Sequence, residues 1–168
     1  IRLHDHPGSD CPMSVTRSLP DEAATLALGA QLARGLEPGL HIDLHGDLGA
    51  GKTTLVRGLL RGLGYGGKVR SPSYTLVELY EISRLYLYHF DFYRMERAQD
   101  WIDAGFPEYF GGSAICLVEW PEKAQGTLPF ADIDIRLALP DSPDRSGREA
   151  LLAAYSESGR RCLSTLGP

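Results

Sequence analysis

The chain has 168 residues, of which 43% are hydrophobic and 23% are charged, and its formal net charge is −5. This length and balance are typical of one globular domain and exclude a disordered or fibrous chain. The negative charge argues against a protein that holds nucleic acid by electrostatic attraction over its whole surface. No apolar run reaches the roughly 20 residues of a membrane span, and no signal peptide is visible. The three scattered cysteines fit a reducing compartment, so we expect a cytoplasmic protein with no membrane association.

The first twelve residues differ in composition from the rest. Residues 1–12 contain Pro, Gly and Asp and are predicted to be a flexible leader, while residues 13–168 are predicted to form one domain. His4 and His6 in this leader could bind a metal as an H-x-H pair. A polar terminus is the favoured interpretation, because no cluster of carboxylates or cysteines stands beside these histidines.

The spacing of apolar residues predicts alternating strands and helices. The first half of the chain is predicted to contain a strand at 14–19, a helix at 23–36, a strand at 40–44, a helix at 54–63 and strands at 75–82 and 85–90. A short helix at 98–104, a strand at 114–118, a helical turn at 121–125 and a strand at 132–139 follow. Gly58 and Gly62 weaken the helix at 54–63 and are expected to allow close packing of this helix on the sheet. Residues 148–155 are ambiguous between helix and strand.

Residues 46–53 form the clearest motif of the sequence. They read Gly-Asp-Leu-Gly-Ala-Gly-Lys-Thr, which is the phosphate-binding pattern G-x-x-x-x-G-K-[ST], between a predicted strand and a predicted helix. Glycines let successive N–H groups turn towards an anion, and the helix N-terminus adds its dipole. Lys52 would lie beside the β- and γ-phosphates, and the Thr53 hydroxyl would bind Mg²⁺. The predicted phosphate-binding residues are Gly46, Asp47, Leu48, Gly49, Ala50, Gly51, Lys52 and Thr53.

Two acidic residues stand where predicted strands end. Asp91 follows the strand at 85–90, and Glu119 follows the apolar strand at 114–118. Ligands of α/β sheets bind at the carboxyl ends of the strands, so both acids are candidates for holding Mg²⁺ or orienting water. Each could instead be an ordinary strand-end carboxylate that faces water. Spacing alone does not say which of them holds the metal.

Three residues that lie close to these two acids in the sequence can be interpreted structurally or functionally. Trp120 is expected to pack in the core or against a partner, or else to gate the site. His89 is expected to be a strand histidine with a satisfied hydrogen bond rather than a catalyst. Cys116 is expected to be an inert buried thiol.

The order of several motifs resembles one family, TsaE, formerly YjeE. The matching segments are GDLGAGKTT at 46–54, SPSYTLVELY at 71–80, YHFDFYR at 88–94, EYF at 108–110 and LVEWPEKA at 117–124. The likeness extends over about residues 15–163. It implies an α/β fold, a P-loop NTPase-like three-layer sandwich with a mixed, mostly parallel sheet, an antiparallel hairpin and C-terminal antiparallel strands. It also implies that residues 148–155 form a strand.

The resemblance to TsaE implies a function as well. The family consists of small P-loop proteins with weak Mg²⁺-dependent ATPase activity that support the biosynthesis of tRNA threonylcarbamoyladenosine. They act on the TsaB–TsaD complex, in which TsaD transfers the threonylcarbamoyl group to the adenosine next to the anticodon. ATP and Mg²⁺ are the implied cofactors, TsaB and TsaD the implied partners, and tRNA would be contacted only through the complex.

The resemblance also assigns roles to single residues. Residues 49–54, including Thr54, would hold the phosphates of ATP, and Lys52, Asp91 and Glu119 would be the catalytic residues. Thr53, Glu119 and Asp91 would surround Mg²⁺. Residues 71–76 would form a switch-like loop that senses the γ-phosphate. Residues 19–22 would lie near the base, with Glu22 in contact with the nucleotide, and Arg148 is a further candidate on the base side.

A small-molecule or nucleoside kinase is the alternative function. Kinases need an acceptor pocket and an arginine-rich lid over the phosphates. The arginines that could form such a lid are Arg145, Arg148, Arg160 and Arg161.

Overall fold

The computed structural model describes residues 12–140 and 146–167. The described residues form seven strands, β1 (Met13–Leu19), β2 (His41–His45), β3 (Val77–Ile82), β4 (Leu85–Asp91), β5 (Ile115–Glu119), β6 (Ile133–Ala138) and β7 (Arg148–Ala154). They also form four α-helices, α1 (Glu22–Ala33), α2 (Lys52–Gly62), α3 (Gln99–Asp103) and α4 (Glu157–Ser164), and 3₁₀ turns at Phe106–Tyr109 and Pro121–Ala124. Among these described helices, none has the length and apolarity to cross a bilayer. His4, His6 and Arg145 lie outside the described residues.

The seven described strands form one sheet in the order β1-β7-β6-β2-β5-β4-β3. The four central strands, β6, β2, β5 and β4, run parallel to one another. The outer strands are antiparallel, with β3 and β4 as the predicted hairpin and β1, β7 and β6 at the opposite side. The carboxyl ends of the parallel strands therefore meet at one edge of the sheet, where α/β proteins bind ligands.

Helices cover the two faces of the sheet unequally. On one face, α1, α2 and α4 bury alternate strand residues such as Ile42, Leu117 and Ile135 in the larger core cluster. On the other face, α3 and the 3₁₀ turns lie over β4 and β5, where Phe90, Trp101 and Val118 share a smaller core, and the turn at Pro121–Ala124 also reaches His45 of β2. The result is the expected three-layer α/β arrangement, with β5 buried on both sides.

Helices α1 and α2 pack against each other at glycine positions. A Cβ atom on Gly29 would collide with the backbone of Leu55, and one on Gly58 with the backbone of Leu26. Gly62 likewise lies against Ala30 of α1. The prediction that Gly58 and Gly62 allow α2 to pack closely on the sheet is therefore wrong. These glycines allow α2 to pack closely on α1.

Most predicted elements are observed, with ends that differ by up to three residues, and three places need comment. Residues 148–154 are a strand, as the family resemblance implied and as residue propensity did not. Leu139 was predicted within β6, but it lies beyond the strand end and is exposed. Helix α4 was not predicted. It begins with Ser156, whose side chain accepts a hydrogen bond from the Gly159 N–H at 3.0 Å, an N-cap signal that is present in the sequence.

Candidate nucleotide-binding site

The segment 46–51 connects the end of β2 to the start of α2. Gly49 and Gly51 have φ values of 77° and 103°, in the left-handed region that favours glycine. Gly51 occupies the N-cap of α2 and offers no side chain, so the first N–H groups of this helix keep their capacity to bind an anion. Asp47 and Leu48 are exposed at the turn of the loop. The backbone therefore has the curvature that the sequence motif predicts.

A chain of polar contacts stands beside this loop on the carboxyl edge of the sheet. The Thr53 hydroxyl lies 3.4 Å from Oε2 of Glu119, and Nε2 of His89 lies 2.6 Å from the same oxygen. Glu119 is the last residue of β5 and is only 3% exposed, and His89 is fully buried. The predicted hydrogen bond of His89 exists, but its partner is the candidate catalytic carboxylate.

Asp91 ends β4 directly beside Glu119, because the two residues are paired in the parallel register of β4 and β5. Its side chain is buried and accepts a hydrogen bond from the Tyr93 N–H at 3.0 Å. Burial raises the pKa of the Asp91 carboxyl above its ordinary value, the Tyr93 hydrogen bond opposes this, and the charge of Glu119 adds to the increase. The two carboxylates thus form a buried negative pair, which favours a bound cation.

Lys52 supplies positive charge at the same edge. Its ammonium group donates a hydrogen bond to the carbonyl oxygen of Gly46 and lies 3.8 Å from the ring centroid of Trp120. Burial lowers the Lys52 pKa, while the nearby charges of Glu119 and Asp91 oppose that decrease. The side chain is 5% exposed, so the ammonium faces acids and loop backbone rather than bulk water.

Trp120 contacts both the lysine and a second aromatic ring. Its backbone is in the left-handed region, with φ of 58°, and its ring centroid lies 5.1 Å from that of Tyr93. The ring therefore packs against Tyr93 and lies beside Lys52, and gating of the site by Trp120 stays a prediction. Cys116 on the preceding strand is buried, and burial raises the pKa of its thiol to about 12, so the reactive thiolate is disfavoured.

An open cleft of about 310 Å³ lies on the other side of the loop. It is lined by Leu19, Asp21, Glu22, Thr25, Gly49, Ala50, Gly51, Thr54, Gly147 and Arg148. An Arg148 Nη2 donates to the carbonyl oxygen of Gly49 at 3.3 Å, and Glu22 lies 3.7 Å from Arg57 in an exposed ion pair. Asp21 caps α1 by accepting from the Ala24 N–H at 2.8 Å, which fixes the helix end that borders the cleft.

The structure divides the predicted site residues into two groups. Lys52, Thr53, Asp91 and Glu119 come together at the sheet edge. Glu22 does not join them and instead borders the cleft with Thr54 and the loop glycines. His89 belongs to the first group, although the sequence analysis did not count it as a site residue. Alternation along β4 was the available signal, since residues 89 and 91 of one strand point to the same face.

The side chains present match the needs of a magnesium–nucleotide complex. Mg²⁺ prefers oxygen ligands, and a hydroxyl and two carboxylates stand together beside the phosphate-binding loop. The orphan N–H groups of α2 and the Lys52 ammonium match the negative charge of phosphates. The adjoining cleft offers room for the remainder of a nucleotide.

The sheet order, the strand–loop–helix connection and the loop conformation define a P-loop NTPase-like α/β protein. A family model described as threonylcarbamoyl adenosine biosynthesis protein TsaE matches residues 19–148. The tRNA threonylcarbamoyladenosine biosynthesis protein TsaE of Haemophilus influenzae is 42% identical over 156 residues, 90% of this chain and 96% of the relative. The protein of the same name from Bacillus subtilis is 44% identical over 126 residues, 75% of this chain and 77% of the relative. The chain belongs to the TsaE family.

A solved structure agrees with this assignment. The crystal structure of Bacillus subtilis YdiB superposes with a TM-score of 0.77 at 31% identity, and the match covers 93% of this chain and 95% of that one. The predicted α/β fold and the predicted family are thereby confirmed.

Proposed function

We propose that the protein binds ATP with Mg²⁺, hydrolyses it slowly, and through this cycle supports the biosynthesis of threonylcarbamoyladenosine in tRNA. The observation that carries the proposal is the convergence of Lys52, Thr53, Asp91 and Glu119 beside the P-loop at the carboxyl edge of the parallel strands. Phosphoryl transfer to water needs positioning and charge compensation more than covalent chemistry, and these groups supply both.

Each group has a separate task in this proposal. The amides of the loop and the Lys52 ammonium bind the phosphates, and the Thr53 hydroxyl with one or both carboxylates holds Mg²⁺. The metal, when bound, supplies compensation for the charge on the phosphate oxygens. Glu119 is the better candidate for orienting the attacking water, because it lies within reach of Thr53 and is fixed from behind by His89.

His89 is a positioning residue in this scheme. Its Nε2 holds Glu119 from the buried side at 2.6 Å, which leaves the other carboxylate oxygen to the site. Groups that orient a catalytic carboxylate commonly affect the rate tenfold or more, of the order seen for the supporting shell of metal sites. On the opposite side of the loop, Glu22 and Arg148 are proposed to contact the base and ribose in the open cleft.

The proposed γ-phosphate sensor is the segment 71–76. The carbonyl oxygen of Leu76 accepts a hydrogen bond of 3.0 Å from the backbone N–H of Asp91, and Leu76 has a φ of 68°. Tyr74 is 82% exposed and carries the Arg94 guanidinium 4.2 Å above its ring. A change at Asp91 would therefore reach an exposed surface through one hydrogen bond, which suits a switch that a partner reads.

The partners in this proposal are TsaB and TsaD. Support comes from the family, whose relatives are named for the same tRNA modification. The net charge of −5 supports contact with tRNA through the partner complex rather than directly. A cytoplasmic location follows from the same proposed role.

The test is an ATPase assay combined with reconstitution. The purified chain, Mg²⁺ and ATP labelled on the γ-phosphate are incubated first alone and then with TsaB, TsaD, unmodified tRNA and the threonylcarbamoyl donor. We expect slow release of phosphate to water and multiple rounds of tRNA modification only when this chain and ATP are both present. Modification that continues at the same rate without this chain would refute the proposed role.

The kinase alternative is checked in the same assay. Label that moves to a nucleoside or metabolite, instead of to water, would favour a kinase. The arginines of the expected lid lie in different places: Arg148 borders the cleft beside the loop, whereas Arg161 does not. Nε and Nη2 of Arg161 each donate a hydrogen bond of 3.0 Å to a carboxylate oxygen of Glu37, which lies beyond the C-terminal end of α1. The loop glycines border the N-terminal end of α1, so Arg161 lies far from the phosphates.

A further inference from the structure

A second cluster of ligand-type side chains lies on the sheet face opposite α1 and α2. Leu44 of β2 and Ile135 of β6 point into the core beneath these helices, so Asp43, His45 and Asp134 point to the other face. Asp43 and Asp134 are direct partners in the parallel register of β2 and β6. The cluster is therefore separate from Asp91 and Glu119, which lie on the face that α1 and α2 cover.

The donor atoms of this cluster are close enough to share one ion. One ligand atom from each of Asp43, His45 and Asp134 lies within 4.8 Å of the other two. Donor atoms around a single Zn²⁺, at about 2.0–2.2 Å from the metal, lie about 3–3.5 Å apart. Nε2 of His45 is already 3.2 Å from Oδ1 of Asp134, so these two atoms have the spacing of two ligands of one ion.

Each carboxylate has a second oxygen besides the one in its histidine contact. Asp43 is 8% exposed and uses Oδ1 to bond Nε2 of His41 at 2.6 Å, and its Oδ2 takes no part in that contact. Such a histidine fixes the orientation of the carboxylate, as supporting groups do in known metal sites. Asp134 and His45 have side chains that are 38% and 20% exposed, which leaves room for water as additional ligands.

Electrostatics of the cluster favours a cation. Like charges opposite each other on neighbouring strands are destabilising, and Asp43 and Asp134 have this arrangement. A third carboxylate, Glu122, lies 3.7 Å from Nδ1 of His45. Three acids thus lie close to the imidazoles of His41 and His45, with Arg136 opposite His45 in the strand register, and a divalent ion would add positive charge beside the acids.

We infer that Asp43, His45 and Asp134 form a binding site for a divalent transition-metal ion of the Zn²⁺ class. An imidazole nitrogen with carboxylate oxygens suits Zn²⁺, Co²⁺ or Mn²⁺, whereas Mg²⁺ and Ca²⁺ prefer oxygen donors alone. The ion joins β2 to β6, and His45 directly precedes Gly46 of the P-loop. The site is therefore structural and stabilises the strand from which the loop departs.

The experiment is a titration of the full chain with ZnCl₂, without nucleotide and with Mg²⁺ in excess. All proteins carry His4→Ala and His6→Ala, so that the H-x-H pair does not bind the probe. We expect one Zn²⁺ per chain by calorimetry, and Co²⁺ in its place gives visible absorption bands of a nitrogen–oxygen site. His45→Gln and Asp134→Asn should each weaken the affinity at least about tenfold.

Two control variants separate this site from other acids. Thr53→Ala removes a ligand of the proposed Mg²⁺ site, and Glu149→Gln removes an acid of β7; both should leave the Zn²⁺ affinity unchanged. The inference is overturned if no stoichiometric Zn²⁺ binds, or if His45→Gln and Asp134→Asn bind it as well as the parent does. The result does not depend on ATP, so it stands or fails independently of the proposed ATPase. Asp43 is left unchanged because its burial makes a folding defect the expected result of its replacement.

Discussion

The two sides of the P-loop differ in how firmly they are built. On the sheet side, Lys52, His89, Asp91 and Glu119 are all at most 5% exposed and are held by short contacts to one another or to backbone. On the cleft side, Glu22 and Arg148 lie at the border of an open cavity and make contacts of 3.7 and 3.3 Å. We call these the carboxylate side and the cleft side.

The difference shows which parts of the proposed reaction are organised before a nucleotide arrives. Strand register fixes the carboxylate side, because Asp91 and Glu119 are neighbours in the sheet. Catalysis benefits most from groups that need no reorganisation, so the chemistry would depend on this side. The cleft side has few fixed partners, and its groups would gain their geometry from the bound base. Substitutions should therefore have unequal effects on the two sides.

The largest effect is expected from Lys52→Ala on the carboxylate side. Its ammonium lies near enough to Glu119 and Asp91 to feel the charges of both, so its loss leaves phosphate repelled by both acids. We expect ATP affinity to fall about 100-fold and hydrolysis to become undetectable. Equilibrium dialysis with labelled ATP measures the affinity, and Lys123→Ala, which removes an exposed lysine, is the control. Normal ATP binding by Lys52→Ala would contradict the assigned phosphate site.

Glu119→Gln should separate binding from turnover. The amide keeps the size of the side chain and its hydrogen bond with His89, but it no longer accepts a proton or carries charge. We expect hydrolysis to fall about 100-fold while ATP affinity changes by less than about threefold. Single-turnover phosphate release gives the rate, with Glu81→Gln on the exposed hairpin as the matched control. Unchanged turnover would remove Glu119 from the mechanism.

Substitution of His89 tests whether the hydrogen bond from this histidine holds the Glu119 carboxylate in position. His89→Leu leaves Glu119 without its buried partner, so we expect about a tenfold loss of turnover and a decrease of about 2–3 kcal/mol in the free energy of unfolding. His89→Gln can still donate from a similar position and should restore most of the rate. Urea unfolding and the ATPase assay measure the two effects. Equal rates in the Leu and Gln variants would mean that His89 has a packing role only.

The smallest effects are expected on the cleft side. Arg148→Ala and Glu22→Ala each remove a contact at the exposed border of the cavity, so ATP affinity should fall no more than about threefold. The rate of hydrolysis at saturating ATP should not change. Arg160→Ala on α4 is the control. A loss of 100-fold in either variant would mean that the cleft side is as rigid as the carboxylate side.

The sequence indicated the two sides through different signals: local patterns for the carboxylate side, and only the family resemblance for Glu22 and Arg148 on the cleft side. Lys52 and Thr53 belong to a local motif, and Asp91 and Glu119 end apolar strands, so both signals are short-range in the chain. The link from His89 to Glu119 joins residues 30 positions apart and depends on strand register, which no local pattern encodes. The sequence therefore pointed to Thr53 and Glu119 individually, but not to the contact of His89 and Thr53 with the same carboxylate oxygen of Glu119.

The strands were predicted more fully than their ends and their neighbours. Alternation located β6, yet Leu139 continues the apolar pattern without belonging to the strand, because periodicity does not mark where pairing stops. Propensity alone left β7 ambiguous, since Ala and Leu take strand geometry there only through pairing with β1 and β6. Helix α4 is eight residues long, too short for a persuasive hydrophobic period.

The glycine contact between α1 and α2 has a consequence for how the molecule would signal. With Gly29 and Gly58 at the crossing, the two backbones touch, and any larger side chain would force them apart. Helix α1, whose N-terminal end borders the cleft, and helix α2, which begins at the P-loop, would therefore move as one rigid body. Relative motion would then have to originate elsewhere, and the segment 71–76, bonded to Asp91, is the place to look for it by hydrogen exchange with and without ATP.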